Sequence, residues 1–277
     1  MTKRGLKVNM WQLDKALERD RINAQRPPDC WCLGSGESKS ETAVVADGRD
    51  KGKSYYTGRQ LFCPCPEGQE AKVKYAAEVA EQQADDIQAK WDGSEIPSRF
   101  YAFTLATSPL KKLAKKLMPD KLTGGQSIFL WGAFGTGKTG LAVGYARAWL
   151  EKSKGRNSIL FRTLPNMLSE LRATYNPHPE KMETEQNLLD QYQHTGLLIL
   201  DDIGAEQIST KGVAWVQDRL YQIIGNRHDE MMPMIFTSNM ALDELEKRLG
   251  ERLTWRILEM CGKENILEVK GPNLRDS

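Results

Sequence analysis

The sequence predicts an α/β fold, a parallel P-loop sheet covered on both faces by helices. Three observations predict it. Short apolar runs alternate with helical patterns from about residue 105 onward. Those runs are continuously apolar, the pattern of strands buried on both faces. One of them, Ser127-Ile-Phe-Leu-Trp131, leads straight into Gly132-Ala-Phe-Gly135-Thr136-Gly137-Lys138-Thr139, and 141–150 follows with helical spacing. This is G-x-x-x-x-G-K-[ST] at every fixed position, in the strand–turn–helix context that the motif requires.

The chemistry of that turn is direct. Glycines let backbone N–H groups converge on one centre, and the following helix N-terminus adds partial positive charge, so a phosphate chain fits the nest. Gly132, Gly135, Thr136, Gly137, Lys138 and Thr139 are therefore nucleotide-binding candidates. Lys138 reaches the β- and γ-phosphates, and Thr139 offers its hydroxyl to Mg²⁺. A chance Gly-rich turn is the bland alternative, and the flanks argue against it.

Composition narrows the classes. The chain has 277 residues, 40% hydrophobic and 27% charged, with a formal net charge of +2. That suits a soluble globular protein without global basic character, so any nucleic-acid site must be a local patch. No apolar run approaches the ~18 residues of a membrane span, and Met1-Thr-Lys-Arg-Gly5 lacks the apolar core of a signal peptide. A cytoplasmic location is expected. Five cysteines in a reducing compartment argue against a disulfide framework.

In chain order, 9–26 reads as a polar helix with a thin stripe of Trp11, Leu13, Leu17 and Ile22. Cys30-Trp-Cys32 and Cys63-Pro-Cys65 follow, separated by a polar Gly/Ser-rich stretch that cannot build a core. Four thiolates from two turns would close a structural Zn²⁺ site across 30–68; free or redox thiols are the alternative, because C-x-C is not the commoner C-x₂-C spacing. Cys261 stands alone in an apolar context and reads as core. Residues 69–91 form a long charged helix, ended by Asp92-Gly-Ser94, and 96–100 is an extended linker. The expected domains are 1–94, which the resemblance described below makes a partner-binding domain, and 95–277, the nucleotide domain.

Within the second domain, helices are expected at 105–117, 165–175, 184–193, 213–227 and 242–249. Strands are expected at 127–131, 158–163, 196–202, 233–238 and 266–270. Leu197-Leu-Ile-Leu-Asp201-Asp202 is an apolar strand ending in carboxylates, a Walker B pattern that places Mg²⁺ beside the P-loop. Asp201 is the Mg²⁺ ligand. Asp202 stands where a water-activating acid belongs, with Glu206 as a substitute. Asn239, after Thr237-Ser238, offers a neutral amide to orient attacking water, although Ser-Asn also commonly just begins a turn. Arg252 and Arg256 lie one turn apart after Gly250; they are either charge-stabilising arginines or a solvated basic face. The three histidines make no catalytic constellation with a Ser or Cys.

The ordered set of P-loop, Asp201-Asp-Ile-Gly-Ala-Glu206, Pro233-x-Ile-Phe-Thr-Ser-Asn239 and Leu249-Gly-Glu-Arg-Leu-x-x-Arg256 resembles the AAA+ ATPases of the DnaC/DnaI-type helicase loaders and IstB-like transposition proteins. The resemblance covers roughly 96–277. It implies an AAA+ sheet of order 5-1-4-3-2 without a full C-terminal helical lid. It makes Asn239 a sensor residue, and Arg256, supported by Arg252, an arginine finger for a neighbouring subunit. By position it assigns Tyr175 and Ser209-Thr210-Lys211 to pore-facing DNA loops; a helix-end tyrosine and an ordinary surface loop are the plain alternatives. The implied cofactors are ATP, Mg²⁺ and structural Zn²⁺. The implied partners are a hexameric DnaB-type replicative helicase, single-stranded DNA and further copies of the chain, with no membrane. Two rival readings remain open: an IstB-like ATPase serving a transposase on double-stranded DNA, and a zinc-containing DNA-binding adaptor that holds ATP without turnover.

Overall fold

In a computed structural model of the chain, the described residues are 31, 38–44, 54–119, 127–175, 184–204 and 212–274. The expected helix 9–26 lies outside them, as do Cys30, Cys32, Glu206, Ser209, Thr210 and Lys211. The chain divides into two compact units, Met1–Gln82 and Gln83–Ser277.

In the first unit, β1 (Lys39–Val44) and β2 (Ser54–Leu61) form an antiparallel ladder, with Lys39 opposite Leu61 and Val44 opposite Ser54. Sequence reading placed no strands in this polar stretch. The ladder satisfies backbone donors and acceptors without needing a large apolar face. Helix α1 (Pro66–Asp92) begins at a proline, whose missing N–H is no loss at a first helical position. The division between the units falls within this helix.

The second unit opens with a 3₁₀ turn (Ser98–Phe100) and a short α2 (Lys111–Lys116). The helix expected over 105–117 is thus cut to its second half. Pro109 drives Ser108 out of helical space, and Thr104 and Thr107 close a turn on each other, Thr107 N–H donating to Thr104 Oγ1 at 3.1 Å. Then follow β3 (Ile128–Trp131), α3 (Lys138–Lys152), β4 (Ile159–Thr163), α4 (Leu164–Ala173), α5 (Glu185–His194), β5 (Leu197–Ile203), α6 (Val213–Asp229), β6 (Met234–Ser238), α7 (Leu242–Leu249), α8 (Glu251–Cys261) and β7 (Ile266–Glu268). The last strand is two residues shorter than expected.

The five strands β3–β7 pair in the order β4-β5-β6-β3-β7, all parallel. Numbered along the chain within this sheet and read from the β7 edge, that order is 5-1-4-3-2, as expected. Successive strand residues feed opposite cores. Phe129, Leu160, Leu198, Leu200 and Phe236 pack with α4 to α8, while Ile128, Leu130, Phe161, Ile199 and Ile235 pack with α3 and with Trp91 of α1. Both faces are therefore dry, which explains the uninterrupted apolar strands. Cys261 is fully buried among the first set, and burial pushes its thiol well above the ordinary range.

At the far end of the sheet, fully buried Arg227 donates to the carbonyls of Tyr192, Thr195 and Pro233 at 2.6–2.9 Å, tying together the segments that lead into β5 and β6. The carboxyl ends of adjacent strands β5, β6 and β3 then meet at one edge. In such sheets that edge is where ligands bind.

Candidate functional site

β3 ends at Trp131, and the chain turns at once into the phosphate loop. Gly135 and Gly137 take left-handed φ angles of 76° and 93°, conformations that side-chain-bearing residues resist. Gly137 caps α3, so Lys138 and Thr139 open the helix with its N–H groups facing the loop. Lys138 is nearly buried. Its ammonium donates to Gly132 O (2.9 Å), Ala133 O (2.8 Å) and the Asn239 Oδ1 (2.7 Å). P-loop lysine and strand-end amide, a hundred residues apart in the chain, thus meet in one contact.

Thr139 Oγ1 donates to Asp201 Oδ1 at 2.9 Å, and Thr237 Oγ1 donates to the same oxygen at 2.6 Å. The two predicted Mg²⁺ ligands therefore touch. Hydroxyl and carboxylate oxygens are the hard donors that Mg²⁺ takes, so the residues present fit that ion.

The β5–β6 ladder slips between Leu200 and Ile203, so Asp201 and Asp202 together face Thr237. This is a β-bulge, a device that re-aims side chains beside active sites. Thr237 fills it. While donating to Asp201, its hydroxyl accepts the Asp202 N–H at 2.9 Å. Asp202 is held there at φ 57°, in left-handed space. Asp201 goes to the floor of the site. Asp202, with Lys138, Thr139 and Asn239, lines a cleft of about 370 Å³. Thr237 was not among the residues expected to act. Its signal was its place in Thr-Ser-Asn, but the bulge it fills depends on strand register.

Burial of Asp201 pushes its carboxyl up to about 6, against hydrogen bonds from Thr237 and Thr139 that pull it down. An unfolded Asp titrates near ~3.9. The fold therefore binds the extra proton, and it loses stability as pH rises from there through about 6. Asp201→Asn should accordingly raise the unfolding midpoint of the ligand-free protein at neutral pH, with the gain shrinking in acid. Thermal scans at pH 7.5 and near pH 4 check this; a lowered midpoint at pH 7.5 would contradict it.

Arg252 and Arg256 converge on Tyr221 of α6, donating to its hydroxyl at 2.9 and 2.8 Å with both guanidiniums over its ring. Arg256 also pairs with Asp229 at 3.1 Å. One face of α8 therefore presents both cations, as their spacing predicts. Trp255 beside them is exposed.

Tyr175 ends the turn after α4 and is half exposed. Its hydroxyl donates to Glu185 (2.9 Å) and receives bonds from Trp215 Nε1 (3.0 Å) and Arg219 (3.1 Å). Trp215 meets the Tyr175 ring edge-on, and Arg172 lies 4.8 Å from the Trp215 ring centre. Trp215, Arg172 and Arg219 were not singled out from the sequence. They lie on two helices that only the fold joins.

In the first unit, Cys63 and Cys65 are buried against Trp31. Gly68 N–H donates to Cys65 Sγ at 3.3 Å, and a side chain on Gly68 would collide with the Cys63 carbonyl. Among the described residues, no group of three or more metal-ligating side chains occurs, and no helix is long and apolar enough to cross a membrane.

A family described as IstB-like ATP binding protein matches residues 99–277. Replicative helicase loader DnaI of Bacillus subtilis (strain 168) is 28% identical over 208 residues, covering 73% of this chain and 60% of that protein. Replicative helicase loader DnaC of Escherichia coli (strain K12) is 28% identical over 131 residues, 47% of this chain and 49% of the relative. The chain thus spans about half to three-fifths of the length of these relatives. Among solved structures, DnaI superposes with a TM-score of 0.51 at 25% identity, over 65% of this chain and 95% of that one. The DnaC helicase loader superposes at 0.53 and 22%, over 63% of this chain and all of that one, a likeness of fold. With the motifs, the sheet order and the family match in agreement, the chain belongs to the IstB/DnaC-like family of ATP-binding proteins.

Proposed function

We propose that this chain is an ATP-hydrolysing loader that assembles on single-stranded DNA and delivers a hexameric DnaB-type helicase through its N-terminal region, 1–94. One observation carries the reading. The similarity to DnaI covers 73% of the chain, more than residues 99–277 alone can supply, so it includes part of the region before the ATPase domain. Co-purification with the replicative helicase of the source organism tests it. The second reading, a transposase-assisting ATPase on double-stranded DNA, is favoured by the family's description as IstB-like; retention of a transposase instead of the helicase would select it.

The proposed chemistry uses the geometry above. Lys138 neutralises the β- and γ-phosphates. Thr139 and Asp201 hold Mg²⁺, which when bound offsets charge building up on the transferred phosphoryl group. Asp202, aimed into the cleft, takes a proton from the attacking water. The Asn239 amide orients that water while its oxygen steadies Lys138. Thr237 sets the spacing between Asp201 and Asp202. Arg256, with Arg252, serves a neighbouring copy.

For DNA, Tyr175 and Trp215 offer ring surface for base stacking, and Arg172 offers charge. Tyr175→Ala and Trp215→Ala should each cost roughly 1–3 kcal/mol of single-stranded DNA affinity if a base stacks there. Lys211→Ala should flatten the salt dependence by about one counterion. Fluorescence anisotropy against salt checks all three; unchanged affinity and slope would move the DNA site elsewhere.

For zinc, the Cys63–Gly68 turn suits thiolate ligands, since its N–H donates to sulfur and its glycine permits the tight approach. Cys30 and Cys32 would complete the set. Metal analysis of protein purified without chelator should find about one zinc per chain. A ratio near zero in folded protein would rule it out.

A further inference from the structure

A second groove, of about 360 Å³, lies between the segment 104–118 and α3, and it shares no lining residue with the nucleotide cleft. Lys111, Ala114 and Lys115 of α2 line one side, and Gly144, Arg147 and Ala148 of α3 line the other. Each set is spaced i, i+3, i+4, so each wall is one stripe of one helix. The floor is small and aliphatic. The backbone at Thr104 and Leu105 lies against Gly144, where an added methyl would sit 2.9 Å from the Leu105 nitrogen. Ala114 and Ala148 offer single methyls, and Met118, 41% exposed, stands at the edge.

The charge of this groove is one-sided. Helix α2 reads Lys111-Lys-Leu-Ala-Lys-Lys116, four exposed lysines in six residues and no acid, in a chain whose net charge is only +2. Lys111 donates to Ala106 O at 2.6 Å. Arg147 puts a cation on the opposite wall, 3.3 Å from Glu151. Among the described residues, Lys112, Lys115 and Lys116 have no ion-pair partner. Such a helix is locally disfavoured. Lysines at i and i+4 repel, and Lys111 and Lys112 in the first turn oppose the helix dipole. Conflicts of this kind between local preference and fold concentrate at functional surfaces.

We propose that this groove docks an acidic amphipathic helix of a partner protein. The apolar stripe of that helix would rest on Leu105, Ala114 and Ala148, with its carboxylates against Lys111, Lys115 and Arg147. Basic rims on both walls of an aliphatic floor match a ligand that is apolar along one line and acidic on either side of it. Single-stranded nucleic acid fits less well, because the lining holds no aromatic ring on which a base could stack. Met118, unbranched and polarisable, adapts to side chains of differing shape. A groove of this size takes only a few side chains, so the contact belongs to the weak, transient class. The inference is independent of helicase delivery, which the reading above assigns to residues 1–94.

The test uses the full chain and a fluorescein-labelled synthetic helix with leucines at i, i+3, i+4 and i+7 flanked by glutamates. One control peptide carries glutamine for glutamate, another serine for leucine, and oligo-dT stands for nucleic acid. Anisotropy should show the acidic amphipathic helix bound at least about tenfold more tightly than either control peptide. Lys115→Glu should weaken it by about tenfold or more and leave oligo-dT affinity and the unfolding midpoint unchanged. Ala148→Phe, which fills the groove without altering its charge, should weaken it likewise, and Lys115→Arg should bind it like wild type. Equal binding of the helix and its controls would overturn the proposal, as would unaltered helix affinity in Lys115→Glu. An equal or greater loss of oligo-dT affinity in Lys115→Glu would make the patch a phosphate track and overturn it too. Self-association that Lys115→Glu abolishes, in protein that does not bind the helix, would assign the groove to a second copy instead.

Discussion

Replacing Lys138 by alanine should abolish nucleotide binding, whereas Asp201→Asn should keep binding and lose Mg²⁺-dependent hydrolysis. The two outcomes differ because the two groups act at different places. The Lys138 ammonium is nearly buried among three oxygens and lines the cleft, where it would meet phosphate. Removing it leaves those carbonyls facing an anion, which is unfavourable for every nucleotide state. Asp201 instead lies beneath the cleft, accepting from Thr139 and Thr237. Asparagine retains an oxygen for both donors but withdraws the negative charge that holds a divalent cation. The loss is several kcal/mol of transition-state stabilisation, roughly a thousandfold or more in rate. Calorimetric ATP titration and phosphate release measure the pair. Normal turnover by both variants would refute the ATPase assignment.

Arg256→Ala should bind ATP like wild type and lose roughly 10³-fold or more in turnover, if its guanidinium stabilises charge on a neighbour's γ-phosphate. Within its own chain Arg256 is held by Tyr221 and Asp229, and it contributes nothing to the lining of its own cleft. A role in trans therefore requires it to leave Asp229 or to swing about Tyr221 when copies assemble. Mixing supplies the sharper test. Arg256→Ala subunits carry an intact phosphate loop, and Lys138→Ala subunits carry an intact arginine. Two inactive proteins should together regain part of the activity. No rescue, where mixed assembly is shown independently, would refute the assignment, as would a dilute monomer that hydrolyses at full rate.

Much of the nucleotide-binding fold was legible in the sequence, because its signals are local. The apolar strands, the Gly-rich turn and the carboxylates that end β5 each announce themselves within a few residues. Strand order is not local and came through resemblance, as did the sensor role of Asn239 and the finger role of Arg256. The structure brings Asn239 to Lys138, and both arginines to Tyr221. What stayed hidden depends on pairing between distant segments. The bulge that sets Asp202 apart from Asp201 exists only in the register of β5 against β6. Trp215 joins Tyr175 across 40 positions. Residues 269–274 look like an ordinary end of a strand until they are seen along the phosphate loop. The helix expected from residue 105 failed for a local reason that was visible: Pro109 and the Thr104–Thr107 turn outweigh the apolar spacing.

Loading onto closed circular single-stranded DNA is the decisive measurement of the proposed function, because a hexameric ring cannot thread onto a circle that has no end. Purified helicase, this protein and ATP are mixed with circles, and helicase retained on the DNA is measured after a high-salt wash. Retention should depend on this protein and on ATP, and Lys138→Ala should fail to support it. Equal retention without the protein, or with Lys138→Ala in its place, would contradict it, as would no retention alongside a stable complex with a transposase.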